Sequence, residues 1–179
     1  MKDKSRSRLS VHGGTLFPEK LHPKGIYTLV FLLKKEERVT VGKLGSKVFP
    51  PGYYSYTGSA TGDGATSLPN RLSRHFRKGK KKHWHIDYLL ASESAQIVGV
   101  AATGLQPRSE CQVNQFLQTC IPEARPLVPK FGATDCRTRC GSHLLYCGNR
   151  NVEKEIRRMY QQRIDQPAVF LYGGESLDA

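Results

Sequence analysis

Residues 27–33 read Tyr-Thr-Leu-Val-Phe-Leu-Leu, and this stretch decides the fold that we expect for the chain. The run is aromatic, β-branched and aliphatic, and it is too short for an ordinary helix, so it predicts a buried central strand. Residues 38–42 alternate polar and apolar side chains as a half-buried strand does, and residues 53–57 resume an aromatic strand pattern. Three antiparallel strands are the simplest arrangement of these segments.

Helices are expected around this sheet. Ser67 is a good N-cap for a helix that has Pro69 in its first turn and runs to about Lys78. Further predicted elements are a strand over residues 96–102, a helix capped by Ser109 over residues 110–118 and an amphipathic helix from residue 152 onward. The predicted fold class is therefore α/β in the broad sense (α+β), with a small central antiparallel sheet flanked by helices.

The charge of the chain is strongly positive. Its 28 Lys and Arg residues against 15 Asp and Glu residues give a net charge of +13. Such a balance favours binding to phosphate backbones, acidic lipid or an acidic partner, although a generally basic surface would look the same. We predict a nucleic-acid partner, a flexible basic arm over residues 1–22, one domain over residues 23–149, and a C-terminal helix and tail over residues 150–179.

No apolar run approaches the roughly 20 residues of a membrane helix, and the N-terminal residues lead into no apolar signal core. The five cysteines are an odd number, all in the second half, which favours a reducing compartment over a disulfide framework. We therefore expect a cytoplasmic protein with no membrane partner.

Three side chains have spacings that suit a catalytic site. Arg71 and His75 lie one helical turn apart beside an apolar stripe, so both would project in the same direction. Glu110 shares a helical face with the apolar residues Val113 and Leu117, where a carboxylate is costly unless a cation meets it. The alternative is that Glu110 lies at an exposed helix start and complements the helix dipole.

A second set of residues could bind zinc. Cys136, Cys140 and His143 have ligand-like spacing, and Cys111 or His85 could complete the set in space. The pattern lacks a second spaced pair, and a buried cysteine is more often a small hydrophobic residue than a ligand, so burial remains the competing interpretation.

Basic and imidazole groups beside the predicted helix are candidates for nucleic-acid contact. His83 and His85 flank Trp84 on one side of a predicted strand, where they could contact phosphate or form a hydrogen-bonded structural pair. The candidate contact residues are Arg74, Arg77, Lys78, Lys80, Lys81, Lys82 and His85. A solvated run of charge is the alternative interpretation of the cluster.

Taken together, these segments resemble the GIY-YIG nuclease superfamily. Residues 25–27 (GIY) match its first motif, residues 56–58 (YTG) match the second with Thr in place of Ile, and Arg71, His75 and Glu110 follow in the family's order. The chain is most similar to the Uri branch, a prokaryotic domain of unknown function found alone or fused to endonuclease III. The resemblance spans residues 24–147 and rests on residues 53–60 (YYSYTGSA), 83–90 (HWHIDYLL), 110–111 (EC), 131–136 (FGATDC) and 142–144 (SHL).

The resemblance implies a metal-dependent endonuclease that hydrolyses phosphodiester bonds, most often in DNA. Tyr27 would be the general base, with Tyr56 as a relay, and Glu110 would hold one Mg²⁺ or Mn²⁺ ion. Arg71 would stabilise the transition state, and His75 would orient groups or transfer protons.

The chain departs from the family pattern in two ways. The loop between Tyr56 and Arg71 is longer than in the compact members of the superfamily. The family's late Asn has no clear match, and Asp135 or His143 would take its place. The competing functions are a non-catalytic nucleic-acid binding module of the same fold and a zinc-stabilised interaction protein.

Overall fold

The central strand predicted from residues 27–33 forms the middle of a five-stranded antiparallel sheet in the computed structural model. The structure describes residues 9–11, 14–16, 21–104, 110–136, 138, 140–164 and 168–172. The strands are β1 (Leu9–Val11), β2 (Gly14–Leu16), β3 (Gly25–Leu33), β4 (Glu37–Thr40), β5 (Ser46–Phe49), β6 (Gly52–Ala60), β7 (Ala95–Gly104), β8 (Leu144–Tyr146) and β9 (Ala168–Tyr172). The α-helices are α1 (Leu68–Phe76), α2 (His85–Leu90), α3 (Glu110–Cys120) and α4 (Glu153–Arg163). Two short 3₁₀ turns lie at Gly42–Leu44 and Gly64–Thr66.

The sheet has the strand order β8-β6-β3-β7-β9 and separates two apolar layers. Because side chains alternate along β3, Tyr27 and Leu29 enter one layer, whereas Ile26 and Val30 enter the other. Helices α1 and α2 contribute to the first layer, and helices α3 and α4 contribute to the second. The structure therefore confirms the predicted fold class, an antiparallel sheet flanked by helices.

The predicted pairing partner of one strand was wrong. Residues 38–42 were expected in the central sheet, but β4 pairs with β5 in a separate two-stranded hairpin. The physical reason is that both edges of β3 already pair with long strands, β6 on one side and β7 on the other. The alternating pattern of β4 reflects one half-buried face of that hairpin.

The N-terminal residues that the structure describes form a ribbon in which β1 pairs with β2. The rest of the predicted flexible arm up to residue 20 lies outside the described residues, as does the predicted N-cap Ser109. No helix within the described ranges is both long and apolar enough to cross a membrane.

The segment that follows α1 differs from the prediction. Helix α1 ends at Phe76 rather than near Lys78, and the residues around Trp84 form no strand, because His85 is the first residue of helix α2. The carboxylate of Asp87 accepts hydrogen bonds from the backbone N–H groups of His83 and Trp84, at 2.9 and 3.0 Å. These bonds satisfy amides at the helix start, so they favour a helix over an extended strand.

Candidate functional site

A tyrosine from the central strand and a histidine from helix α1 contact each other in the buried layer between the sheet and that helix. The Tyr27 Oη and His75 Nε2 atoms are 2.8 Å apart, and the two side chains are 1% and 3% exposed. Gly58 lies opposite Tyr27 in the neighbouring strand, where an added Cβ would come within 2.6 Å of the phenol oxygen. The glycine of the YTG segment (residues 56–58) therefore leaves space for the phenol of the GIY segment (residues 25–27).

Tyr56 extends this buried group. Its ring centroid lies 6.4 Å from that of His75, and it faces the same layer as Tyr27. Burial raises the pKa of Tyr27 well above the ordinary value, and the neighbouring Tyr56 adds to this, whereas Arg71 lowers it. Burial also lowers the pKa of His75 to about 3. Burial raises the pKa of Tyr56 as well, so both phenols and the imidazole are neutral at neutral pH.

Arg71 is held between the sheet and an indole ring. Its guanidinium carbon lies 4.4 Å from the centroid of Trp84, and its Nη1 donates to the backbone carbonyl of Ser59 on strand β6. Its Nε is buried and has no hydrogen-bond acceptor among the described residues. A buried donor without an acceptor is unusual. Arg71 is therefore a partly buried cation beside Tyr27, whose pKa it lowers.

A cleft of about 320 Å³ opens over Tyr56. Its lining residues are Tyr56, His83, Trp84, His85, Gly132, Thr134 and Asp135. Of the two candidates for the late Asn of the resemblance, Asp135 lies in this cleft, and His143 is not among the lining residues.

Glu110 is the first residue of helix α3 and is half-buried. Burial is the main cause of the raised pKa of Tyr56, and the negative charges of Glu110, Asp87 and Asp135 add to it, so Glu110 and Asp135 lie within electrostatic reach of the same phenol. Within the described ranges, neither belongs to a cluster of three or more metal-ligating side chains. One or two carboxylates suit Mg²⁺ or Mn²⁺, which retain water ligands and bind substrate phosphates.

The structure thus brings Tyr27, Tyr56, Arg71 and His75 into one group and places Glu110 within electrostatic reach of it. These residues come from strands β3 and β6 and from the starts or faces of helices α1 and α3. Sequence reasoning missed Asp87, which is fully buried and organises the wall of the site. Its spacing from Trp84, three residues before, is the signal that could have identified it.

Three of the six Lys and Arg residues predicted to contact nucleic acid are engaged within the fold. Asp87 pairs with Arg74 at 2.7 Å and with Lys80 at 3.5 Å, and the pKa of Lys80 falls to about 8 because of burial. The ammonium of Lys78 donates to three backbone carbonyls at 3.2–3.3 Å. The exposed members of the set are Arg77, Lys78, Lys81 and Lys82, and of these Lys78 is held by its backbone partners.

A second site lies between helix α3 and the chain that leads into β8. Three cysteines and one histidine, Cys111, Cys136, Cys140 and His143, place their ligand atoms within 4.8 Å of one another. The Sγ of Cys111 lies 3.2 Å from that of Cys136 and 3.3 Å from His143 Nε2. Tetrahedral zinc with Zn–S bonds of about 2.3 Å holds its ligand atoms roughly 3.5–3.8 Å apart, so this cluster could hold a metal ion such as zinc.

Hydrogen bonds within the cluster favour a thiolate. The Thr138 hydroxyl and the Cys140 backbone N–H lower the pKa of Cys136 to about 6. Cys111 is the fourth potential ligand, and His85 does not belong to the cluster. The fourth potential ligand, which the local sequence pattern lacks, therefore comes from helix α3, 25 residues before Cys136.

The chain was compared with known proteins. A family model described as "Domain of unknown function DUF123" matches residues 26–165. The chain belongs to this family. The match to DUF123 includes the cleft, the cysteine cluster and helix α4. No curated protein and no solved structure matches the chain, so membership of DUF123 assigns no activity.

Proposed function

We propose that this DUF123 domain is a GIY-YIG-type nuclease of the Uri branch, a metal-dependent endonuclease that cleaves DNA phosphodiester bonds. The observation that carries the proposal is the meeting of Tyr27 with His75 at 2.8 Å, beside Tyr56 and Arg71. These side chains come from separate elements, and together they offer a base, proton-transfer groups and a cation, which hydrolysis of a phosphodiester can use.

The reaction needs a water molecule to attack phosphorus while the bond to the leaving oxygen breaks. In our proposal the water proton passes to the oxygen of deprotonated Tyr27, and the leaving oxygen takes a proton from solvent. His75 supports this step if its Nε2–H donates to the Tyr27 oxygen, because the donated hydrogen bond stabilises the phenolate. Tyr56 would relay the proton, and the fixed guanidinium of Arg71 would stabilise the added negative charge on the phosphoryl oxygens.

Glu110 would hold one Mg²⁺ or Mn²⁺ ion, with Asp135 as an additional ligand or water contact. When bound, such an ion neutralises and polarises the phosphate. The exposed residues Arg77, Lys81 and Lys82 would follow the nucleic-acid backbone without reading its sequence.

We also propose that the cysteine cluster binds a structural zinc ion. Four protein ligands close the coordination sphere, as in structural rather than catalytic zinc sites. Cys111 follows Glu110 directly, and Cys136 follows the cleft residue Asp135, so the ion would fix the start of helix α3 relative to the Asp135 side of the cleft. The reduced thiols of this site fit a cytoplasmic location.

A non-catalytic nucleic-acid binding module is the second candidate. The observation that favours it is the raised pKa of both Tyr27 and Tyr56, which leaves little phenolate at neutral pH. Such a module would keep the exposed basic residues but would not cleave its ligand.

The test is cleavage of labelled single-stranded, duplex and branched DNA and RNA in the presence of Mg²⁺ or Mn²⁺. We expect metal-dependent products from the wild type and at least a 100-fold loss in Arg71→Ala and Glu110→Ala. Arg150→Ala and Glu93→Ala are matched controls, since Arg150 pairs with Glu155 away from the cleft and Glu93 is exposed. Binding without cleavage by every form would support the non-catalytic module.

A further inference from the structure

His85 stands where helix α2 begins and forms part of the cleft wall. Its ring packs against Phe131 with the centroids 5.5 Å apart and the planes at 62°. The imidazole is therefore held between the start of a helix and the loop that carries Gly132 and Asp135. A side chain fixed on both sides can present one ring atom to the cleft in a defined direction.

The backbone sets the tautomer of this imidazole. The N–H of Gly132 donates to Nδ1 of His85 at 3.0 Å. Because a backbone N–H can only donate, Nδ1 carries no proton, and the neutral ring has its proton on Nε2. Burial lowers the pKa of His85, which also keeps the ring neutral. Within the part of the chain that the structure describes, Nε2 has no hydrogen-bond partner.

We propose that His85 is a further catalytic residue whose Nε2–H donates to a non-bridging oxygen of the phosphate in the cleft. This inference rests on the proposed function. A neutral donor held in place keeps its proton while negative charge develops on that oxygen, so it stabilises the transition state without reorganising. Asp135 lies in the same cleft and opposes a bare anion, so the phosphate is expected to enter together with a divalent cation.

Two substitutions separate the donor from the structural bond. In His85→Asn the amide oxygen can take the place of Nδ1 and accept from Gly132, but no group reaches the position of Nε2. In His85→Gln the amide nitrogen can reach that position. We expect cleavage to fall about 100- to 1000-fold in His85→Asn, as for loss of one oxyanion donor, and to fall less in His85→Gln.

His22→Gln is the matched control, because His22 is exposed and does not line the cleft. Thermal unfolding of each variant is measured in parallel. A His85→Asn variant that keeps its midpoint and cleaves at the wild-type rate would overturn the proposal. If His85→Asn has a lower unfolding midpoint than the wild type, the cleavage rate of His85→Gln and the cleavage of a phosphorothioate substrate are compared with the wild type instead.

Sulfur accepts a hydrogen bond less well than oxygen, so one phosphorothioate diastereomer should slow the wild type. That slowing should be lost in His85→Asn, which lacks the donor, and kept in His85→Gln, which retains one. Equal slowing in wild type and variant would contradict the assigned contact.

A second readout does not need cleavage. In ¹⁵N-histidine-labelled protein, we expect the His85 resonances of the Nε2–H tautomer and a shift of Nε2 when inorganic phosphate is added with Mg²⁺. The other tautomer, or an unshifted Nε2, would refute the inference. If Nε2 shifts but no nucleic acid is cleaved, the nuclease proposal fails and the phosphate contact stands.

Discussion

The buried carboxylate of Asp87 gives the sharpest test of how the cleft wall is built. The side chain is fully buried and accepts hydrogen bonds from Arg74 at 2.7 Å and from the N–H groups of His83 and Trp84. Lys80 adds a second cation at 3.5 Å, and its side chain is 9% exposed. The substitution Asp87→Asn keeps an acceptor for the two amides and removes the negative charge between the two cations.

Removing one member of a buried ion pair costs about 3–5 kcal/mol, because the remaining charge stays buried without its partner. Arg74 is 23% exposed and can turn part of its charge toward water, so we take the lower end, about 3 kcal/mol. For a domain of this size, that corresponds to a melting temperature lower by roughly 6–12 °C.

The pH dependence of the effect has a defined sign. Burial opposes ionisation of Asp87, but hydrogen bonds from Trp84, His83 and Arg74 outweigh it, and the pKa is lowered. The stabilisation is therefore present above the unfolded pKa of about 3.9 and is lost as the pH falls through the lower folded pKa. The difference between wild type and Asp87→Asn should be complete at pH 7 and should shrink below about pH 4.

The assay is urea or thermal unfolding of the two proteins, with Asp63→Asn as the matched control. Asp63 pairs with Lys24 at 3.0 Å, but its side chain is 84% exposed, so its loss should change stability by less than about 0.5 kcal/mol. Equal stability of Asp87→Asn and Asp63→Asn would refute the argument that the buried carboxylate holds this wall together.

Two further predictions concern the metal cluster and the proposed base. Protein purified without chelator should contain about one zinc ion per chain by mass spectrometry, and Cys136→Ser should lose it. Cys120→Ser should retain it, because Cys120 is exposed and outside the cluster, and zinc-free wild type would contradict the proposed site. The cleavage rate should rise about tenfold per pH unit from pH 6 to 9, because the phenolate of Tyr27 is the base and its pKa is raised. A rate that levels off near pH 7 would argue against Tyr27 in that role.

The sequence predicted the elements whose pattern is local and failed where partners are distant. A long apolar run made strand β3 predictable, and helical spacing correctly placed Arg71 and His75 on one helix. The alternation of residues 38–42 identified a strand but carried no information on its pairing partner, which is β5. Alternation also suggested a strand around Trp84, where backbone bonds to a carboxylate start a helix instead.

The composition of a cluster does not show which of its charges are free. Lys78 and Lys80 belong to the same basic run as Lys81, yet the first two bind carbonyls and a buried carboxylate. The sequence left the fourth member of the cysteine cluster open between Cys111 and His85 for a similar reason, because only the folded chain brings Cys111 to the other three side chains. Local patterns can suggest such side chains, but their contacts depend on the fold.

The central claim is that the cleft over Tyr56 hydrolyses phosphodiester bonds. The most direct measurement is single-turnover cleavage of a labelled DNA by the wild type and by Glu110→Gln across a range of Mg²⁺ concentrations. Our account predicts product from the wild type only when the metal is present, and a loss of at least about 100-fold in the variant although DNA binding is retained. DNA binding by the wild type with no product at any Mg²⁺ or Mn²⁺ concentration, across single-stranded, duplex and branched substrates, would contradict it.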